Sequence, residues 1–346
     1  MKKYLILSAL FLTAQVMRAQ NQSGKTPYLS KSFSSETINN VVSQTSGGNI
    51  SVTAVSPAES HVEVFVSQNG NSNKLSDDEI KSKIAEDYDL NVSVSNGTLT
   101  ASAISKHNIT NWKKSLSFSF KIYVPQKVST QLKTSGGNID LTGISGDQDF
   151  KTSGGNLDLN SISGNIKGKT SGGNISFKNC SNSLDLSTSG GNIVAEKSEG
   201  HIHISTSGGF LQLQDLNGDI SASTSGGNIE GNAIEGELSA HTSGGNVSLQ
   251  KLNCSVKAST SGGNIDVSIV HPGKYISLSN SSGHVRLTLP KKTGMDLKLN
   301  ANKISTENLE NFSGTNKTGE ISGTVNGGGI PVTVNAGSGK IEVAFD

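Results

Sequence analysis

The stretch Thr134-Ser135-Gly136-Gly137-Asn138-Ile139 returns with little change along half of the chain. Its threonine recurs every 18 residues. The positions are Thr134, Thr152, Thr170, Thr188, Thr206, Thr224, Thr242 and Thr260. An isolated earlier copy spans 45–50, and a looser copy spans 280–285. A fixed period of this size is typical of stacked-repeat architectures.

Apolar residues alternate with polar ones on both sides of this phrase. With the threonine as position 0, position +5 is apolar in every copy and position +7 in all but one, where Gly231 stands. Alternation of period two predicts strands with one buried face, at about +4 to +8 and +14 to +18 of each repeat. Glycines at +2 and +3, and often at +12, predict two corners, because glycine adopts backbone conformations that other residues avoid.

One such repeat cannot bury its own apolar face, but identical turns stacked at roughly 4.8 Å bury a continuous column of Ile, Leu and Val. The sequence therefore predicts an all-β solenoid with 18-residue rungs. The threonine is in phase with the apolar residues, so it is expected to point inward. Asn recurs at +4 in every regular copy except at Phe210. We interpret this column as a structural ladder whose amides satisfy backbone groups, with a row of ligand-binding amides as the alternative.

The rest of the chain divides into segments of different composition. Residues 1–19 are predicted to be a signal peptide, with Lys2 and Lys3 before an apolar run too short for a membrane span. Residues 20–40 are predicted to be a flexible leader and 41–346 the solenoid domain, with regular rungs over 130–290 and irregular coils over 291–346. Residues 300–317 are expected to form a polar loop. Charges on the last strand, Lys340, Glu342 and Asp346, are expected to discourage end-to-end pairing.

An insertion at 70–115 interrupts the first rungs. Ser76 to Glu79 forms a capping-box pattern, which predicts a helix over 77–88. Asn96-Gly97 predicts a hairpin between strands at 90–95 and 98–103. We interpret the insertion as a cap over the first rung, with a ligand-binding element as the alternative. Trp112, the one tryptophan, is expected to pack rather than to stack on a sugar.

Two cysteines provide a test of the stacking. Cys180 and Cys254 lie four repeats apart at different positions of the repeat. Stacking would separate them by roughly 19 Å, whereas a disulfide needs Cα atoms within about 7 Å. No disulfide between them is expected. Cys180 is predicted to be buried, and Cys254 to replace a corner glycine.

Composition limits the possible functions. The chain has 346 residues, 40 glycines and 5% aromatic residues, which suits a thin coil with a narrow interior. The formal net charge is +1, and no basic stripe interleaved with aromatic residues suggests nucleic-acid binding.

Several motifs resemble those of a bacterial family. Ile122-Tyr123-Val124-Pro125 leading into Ser135-Gly136-Gly137-Asn138-Ile139 resembles the putative-adhesin β-strand-repeat family, which is similar to the head domain of putative autotransporter adhesins. Asn326-Gly327-Gly328-Gly329 resembles its closing segment, and the resemblance covers about Val41 to the end. It implies a right-handed, single-stranded parallel β-helix in the cell envelope and no catalytic residues. This chain departs from the family in having Gly-Asn where many members have Gly-Asp.

Candidate sites for chemistry are few. Calcium-binding β-rolls need Gly-Gly-x-Gly-x-Asp in a nonapeptide, which is absent, so no cofactor or metal is predicted. Asp140 and Asp158 share position +6 on neighbouring rungs and could form an acid–base pair, although a solvated acidic face explains them as well. His201 and His203 lie between Asp185 and Asp219, and solvated strand residues explain them equally.

Outward-facing serines flank the threonine column. The candidate ligand-binding residues are Ser187, Ser189, Ser205, Ser207, Ser223 and Ser225. The leading hypothesis is an exported, non-enzymatic, adhesin-like binding scaffold that contacts glycans or surface proteins of the envelope or a host. A periplasmic accessory of an envelope-stress or signalling system is the alternative, and a polysaccharide-active enzyme is a third hypothesis.

Overall fold

The computed structural model describes residues 26–70, 75–107, 113, 115–307 and 309–346. Within them the protein is all-β, with one α-helix and one short 3-10 helix. The predicted signal peptide and Trp112 lie outside the described residues. No helix in the described ranges is both long and apolar enough to cross a membrane.

The strands before the regular rungs are β1 (Leu29–Ser32), β2 (Asn40–Gln44), β3 (Ile50–Ala54), β4 (His61–Gln68), β5 (Tyr88–Ser95), β6 (Thr98–Ser105) and β7 (Leu116–Val124). The 3-10 helix is Pro57–Glu59 and the α-helix, α1, is Asp77–Asp87. The regular rungs contain β8 (Ser129–Lys133), β9 (Ile139–Thr142), β10 (Gln148–Lys151), β11 (Leu157–Asn160), β12 (Ser163–Lys169), β13 (Ile175–Lys178), β14 (Ser181–Ser187), β15 (Ile193–Glu196), β16 (Glu199–Thr206), β17 (Leu211–Thr224), β18 (Ile229–Thr242), β19 (Val247–Thr260), β20 (Ile265–Ile269), β21 (Ile276–Asn280) and β22 (Val285–Leu289). The C-terminal strands are β23 (Met295–Asn300), β24 (Lys303–Thr306), β25 (Phe312–Lys317), β26 (Glu320–Val325), β27 (Ile330–Asn335) and β28 (Lys340–Phe345).

Each regular repeat contributes to two parallel ladders. The strand that follows the glycine pair aligns with its equivalent one repeat later, so Leu157 lies opposite Ile139 and Ile175. The strand that precedes the next threonine does the same, and Leu184 lies opposite Ile166 and Ile202. The two predicted strands per repeat are confirmed, and the pairing partners lie 18 residues apart.

Apolar side chains form columns in the interior. The column at +5 includes Ile139, Leu157, Ile175, Ile193, Leu211, Ile229, Val247 and Ile265, and all are buried. Where a small residue interrupts a column, a neighbour fills the space. At Gly231, for example, an added Cβ would lie 2.7 Å from Leu249 Cδ2, so the larger residues of adjacent rungs occupy that volume.

The first corner of each rung is formed by the Ser-Gly-Gly segment, but not for the conformational reason expected. Neither glycine of the pair adopts a left-handed φ in the regular rungs. The glycine at +3 is needed because the rungs approach too closely for a side chain. A Cβ on Gly155 would lie 1.8 Å from the carbonyl oxygen of Gly137.

The second corner lies at +9 and was not predicted. Its residue has a φ near +50° whether or not it is glycine, as at Ser161 (57°), Asp215 (54°) and Lys251 (53°). Gly143 occupies the same position with φ 73°. The glycines at +12 also have positive φ, for example 123° at Gly218, as the corner prediction requires.

The N-terminal insertion lies against the first rung. The predicted capping box and helix are present in α1, where the Ser76 side chain accepts from the Glu79 amide. The predicted hairpin is β5–β6, with Asn96 and Gly97 at φ 49° and 72°. Strands β6 and β7 continue the ladders beyond β2 and β3 in parallel, and antiparallel strands β5 and β4 then end them. The insertion therefore covers the edge of the first rung.

Part of the predicted flexible leader is integrated into the fold. Strand β1 pairs antiparallel with β4, and Phe33 and Ile38 are buried. The leader prediction is thus wrong for residues 29–38, because these side chains cover the core at the end of the stack.

The C-terminal region also differs from its prediction. Strand β28 is not an edge: it lies between β22 and β24, and its Glu342 pairs with Arg286 at 3.1 Å. The charges on the last strand therefore do not protect an edge. The predicted polar loop at 300–317 contains β24 and β25, which find partners in β28 and β26. Leu309 and Phe312 pack against the core, as the anchors expected within that segment.

Both cysteines are buried free thiols. Cys254 lies opposite Gly236 and so occupies the predicted corner-glycine position.

Candidate recognition surface

The threonine column is part of the framework and is unavailable to a ligand. Each threonine is buried, and Thr188 is representative: its Oγ1 donates to the carbonyl of Gly173 in the preceding rung at 2.8 Å. The same oxygen accepts from the Gly191 amide at 3.2 Å. Both polar functions of the hydroxyl are satisfied, so the inward orientation predicted from the sequence is confirmed.

The asparagine column also serves the framework. The side-chain oxygen of Asn156 accepts from the backbone amide of Asn174 at 2.9 Å, and Asn174 repeats this with Asn192 at 2.8 Å. These bonds satisfy exposed backbone groups at the corner, as the structural interpretation predicted. Phe210, which is 42% exposed, interrupts the column and offers no acceptor to the Asn228 amide.

The predicted serine candidates lie on the outside of the corner that carries the glycine pair. Position −1 forms one continuous column of aligned residues: Gln44, Lys133, Lys151, Lys169, Ser187, Ser205, Ser223, His241, Ser259 and Ser279. Ser187, Ser205 and Ser223 are half-buried. Ser189, Ser207 and Ser225 form the exposed +1 column beside them. Within the described chain, the hydroxyls of these six serines make no hydrogen bond to another residue.

The glycine pair separates two different requirements. At +3 the rungs leave no room for a side chain, but at +2 they do. A Cβ on Gly172 would lie 3.7 Å from its nearest neighbour, the carbonyl oxygen of Ser153, which is an ordinary contact. The looser copies carry Ser282 and Ser338 at +2 and retain Gly283 and Gly339 at +3. Position +2 therefore forms a flat, exposed strip of backbone that the fold does not require.

The acidic pair lies on the strand after this corner. Asp140 and Asp158 are directly opposite each other on β9 and β11. Burial, and secondarily the Asp158 carboxylate, raise the pKa of Asp140 to about 6, and burial also raises the pKa of Asp158. The flanking residues of the column are Ser51 and Ser176. The geometry thus brings together two carboxylates that share protons with water, but these ladder neighbours add neither a base nor a cation.

The two histidines lie on separate pairs rather than at one site. His201 Nδ1 is 3.6 Å from Asp219 Oδ2, and both side chains are more than two-thirds exposed. His203 faces Asp185 on the next strand. Among the described residues, no cluster of three or more His, Cys, Asp or Glu side chains has an arrangement that could hold a metal ion.

A shallow groove runs along the second corner, where no site was predicted. Asn179, Lys197, Glu199, Asp215 and Asn217 line it. The sequence signal that would have located it is the left-handed residue at +9, whose identity varies from rung to rung. Its side chains mix both charges and amides without repetition, so the groove presents no uniform chemistry.

No family model and no curated protein sequence matches the chain. Among solved structures, the chain is similar to a putative cell adhesion protein from Clostridium sporogenes ATCC 15579, with 10% identity, coverage of 90% of this chain and 93% of the other, and a TM-score of 0.18. It is also similar to a putative adhesin from Bacteroides fragilis NCTC 9343, with 14% identity, coverage of 91% and 96%, and a TM-score of 0.25. At such TM-scores these likenesses support neither a fold nor a function, and the family resemblance stays a prediction.

Proposed function

We propose that the protein is an exported, non-enzymatic binding scaffold of the cell envelope with an adhesin-like role. The repetitive outer columns at −1 and +1 are its recognition surface, and glycans or envelope or host surface proteins are its partners. The observation that carries the proposal is the division of labour at the corner. Threonine, asparagine and the +3 glycine are all used to join rungs, whereas the serine hydroxyls beside them are left for a ligand.

We further propose that the rungs wind as a right-handed, single-stranded parallel β-helix. The pairing of both strands of each repeat with partners 18 residues away supports such a winding, and right-handed connections dominate between parallel strands. A stack of this kind places the same hydroxyl at roughly 4.8 Å intervals along a straight line. Such a line matches a polymer with a regular repeat better than it matches a compact ligand.

Export rests on the sequence pattern of residues 1–19. Removal of this segment would leave a chain from Gln20 to Asp346. Exposure on intact cells, measured by surface labelling, separates an adhesin from the periplasmic accessory that is the alternative function. Strict periplasmic location would exclude adhesion to a host or a neighbouring cell.

Binding of residues 20–346 to a broad array of glycans and matrix proteins tests the proposal. We expect specific hits that are weakened at least tenfold by Ser187→Glu with Ser205→Glu and Ser223→Glu. A matched control introduces the same charges on the other ladder, through Ser176→Glu, Ser248→Glu and Ser268→Glu, and should leave binding unchanged. A blank array with folded protein, or equal losses in both triple variants, would contradict the recognition surface.

A further inference from the structure

Three consecutive lysines occupy the N-terminal part of the −1 column. Lys133, Lys151 and Lys169 lie directly opposite one another on β8, β10 and β12, and all three are exposed. Within the described part of the chain, none of them forms an ion pair. The column continues with Ser187 beyond this triplet.

This arrangement is unfavourable for the isolated protein. Side chains on adjacent parallel strands are separated by roughly 4.8 Å at the backbone, and like charges placed directly opposite each other destabilise a sheet. The next outward column does not neutralise them, because Asp149, Lys167 and Asp185 alternate in sign along it. Serine at the same position in later rungs shows that the fold does not need lysine there.

The flat strip at +2 runs beside the lysines. Gly136, Gly154 and Gly172 are exposed, and the nearest heavy atom to a Cβ on any of them lies at 3.7–3.9 Å. Glycine at these positions is therefore not enforced by packing. Its effect is to remove side chains that would hold a ligand away from the amino groups and from the +1 serines.

We propose that Lys133, Lys151 and Lys169, with the adjacent glycine strip, bind a linear acidic polysaccharide. This inference rests on the proposed function and names its ligand class. The rung spacing is close to the length of one sugar unit in an extended chain, so successive amino groups meet successive carboxylates or sulfates. A nucleic-acid strand fits less well, because duplex DNA presents a phosphate every 3.4 Å along each strand.

The test measures binding of the chain 20–346 to size-defined polygalacturonate oligomers and to dextran sulfate, with neutral dextran as the uncharged probe. We expect the wild type to bind an acidic probe, with affinity falling as NaCl is raised from about 50 to about 200 mM. Carboxylate or sulfate preference between the two acidic probes identifies the ligand's charged group. Lys133→Gln with Lys151→Gln and Lys169→Gln should lower the affinity at least tenfold and abolish most of the salt dependence.

A control variant removes the same net charge elsewhere. Lys257, Lys298 and Lys317 are exposed, and their replacement by Gln should change affinity less than twofold. Gly154→Leu with Gly172→Leu should weaken binding of the acidic probe without unfolding the protein. Melting temperature is a second readout, since the lysine-column variant should be at least as stable as the wild type at low salt.

Three results would overturn this assignment: no binding of either acidic probe, equal loss in both lysine triples, or tighter binding of duplex DNA or of anionic lipid vesicles. Failure here is distinguishable from failure of the proposed function. If neutral glycans bind and the serine triple abolishes that binding, the recognition surface stands without the acidic ligand.

Discussion

The two corners of each rung obey different rules. At the first corner the sequence Thr-Ser-Gly-Gly-Asn barely changes, and its backbone has ordinary φ values. At the second corner the residue at +9 changes from Gly143 to Ser161 to Lys197, while the backbone keeps a left-handed φ between 46° and 73°.

The difference shows what the repetition of the sequence records. At the first corner the rungs approach so closely that backbone and side chains are fixed by the neighbouring rung. At the second corner the strain is within one residue and is offset by the ladders on either side. Sequence identity between rungs therefore follows contacts between rungs and not backbone conformation.

The strongest test of this contrast compares the two glycines of one corner. Gly191→Ala places a Cβ 1.9 Å from the Gly173 carbonyl oxygen, so we expect the free energy of unfolding to fall by about 3 kcal/mol or more. Gly190→Ala meets nothing closer than 3.7 Å and should change it by less than about 1 kcal/mol. Urea denaturation monitored by circular dichroism measures both, and equal effects would refute the close-approach explanation.

Removal of the threonine hydroxyl should have the next largest effect. Thr188→Val keeps the shape but leaves the buried Gly173 carbonyl and Gly191 amide without this partner. We expect a loss of about 2 kcal/mol. Thr142→Val, at an exposed position, is the matched control and should be nearly neutral. A neutral Thr188 variant would mean that the glycine alone defines the corner.

The strand leaving the first corner should give the protein a pH dependence. The pKa of Asp140 is raised from 3.8 to about 6 on folding, so the folded state holds more protons between these values. The associated stability is fully present below about pH 4 and is lost as the pH rises through about 6. Asp140→Asn should remove this dependence and stabilise the protein at pH 7 by about 1 kcal/mol after allowance for solvent screening.

Thermal unfolding across pH 4–8 measures this effect. The exposed Asp149→Asn, which removes the same charge from the other ladder, is the control. Lower stability of the Asp140 variant at pH 7 would contradict the burial argument. Cleavage of a polysaccharide by the wild type, lost on Asp140→Asn with Asp158→Asn, would instead support the enzyme hypothesis.

The smallest expected effect is at the second corner. Lys251→Gly relieves a left-handed conformation, so we expect a gain of about 0.5–1 kcal/mol despite the greater freedom of the unfolded chain. Lys257→Gly, within the same strand at an ordinary φ, should lose a similar amount. If both variants lose stability, the left-handed residue is held without measurable strain, and the contrast between the corners would rest on sterics alone.

The sequence by itself determined the repeat, the two strands per repeat, the inward threonines, the helix at 77–87 and the hairpin at Asn96-Gly97. Each depends on local periodicity or on one short motif, which a chain carries irrespective of its partners. The serine candidates were also located correctly on the outer face, since alternation fixes the side of a strand on which a residue lies. What they bind is a separate question, which the array and polymer experiments address.

Only the tertiary structure decided how the stack ends and which glycine is required. Strands β2 and β3, and likewise β27 and β28, lie inside the ladders because β6, β7, β23 and β24 fold back beyond them. Such long-range pairing has no local signature, so the leader, the 300–317 loop and the protective charges of the last strand were mispredicted. The distinction between the +2 and +3 glycines has the same origin: both have identical local sequence and ordinary φ, and only the carbonyl of the neighbouring rung tells them apart.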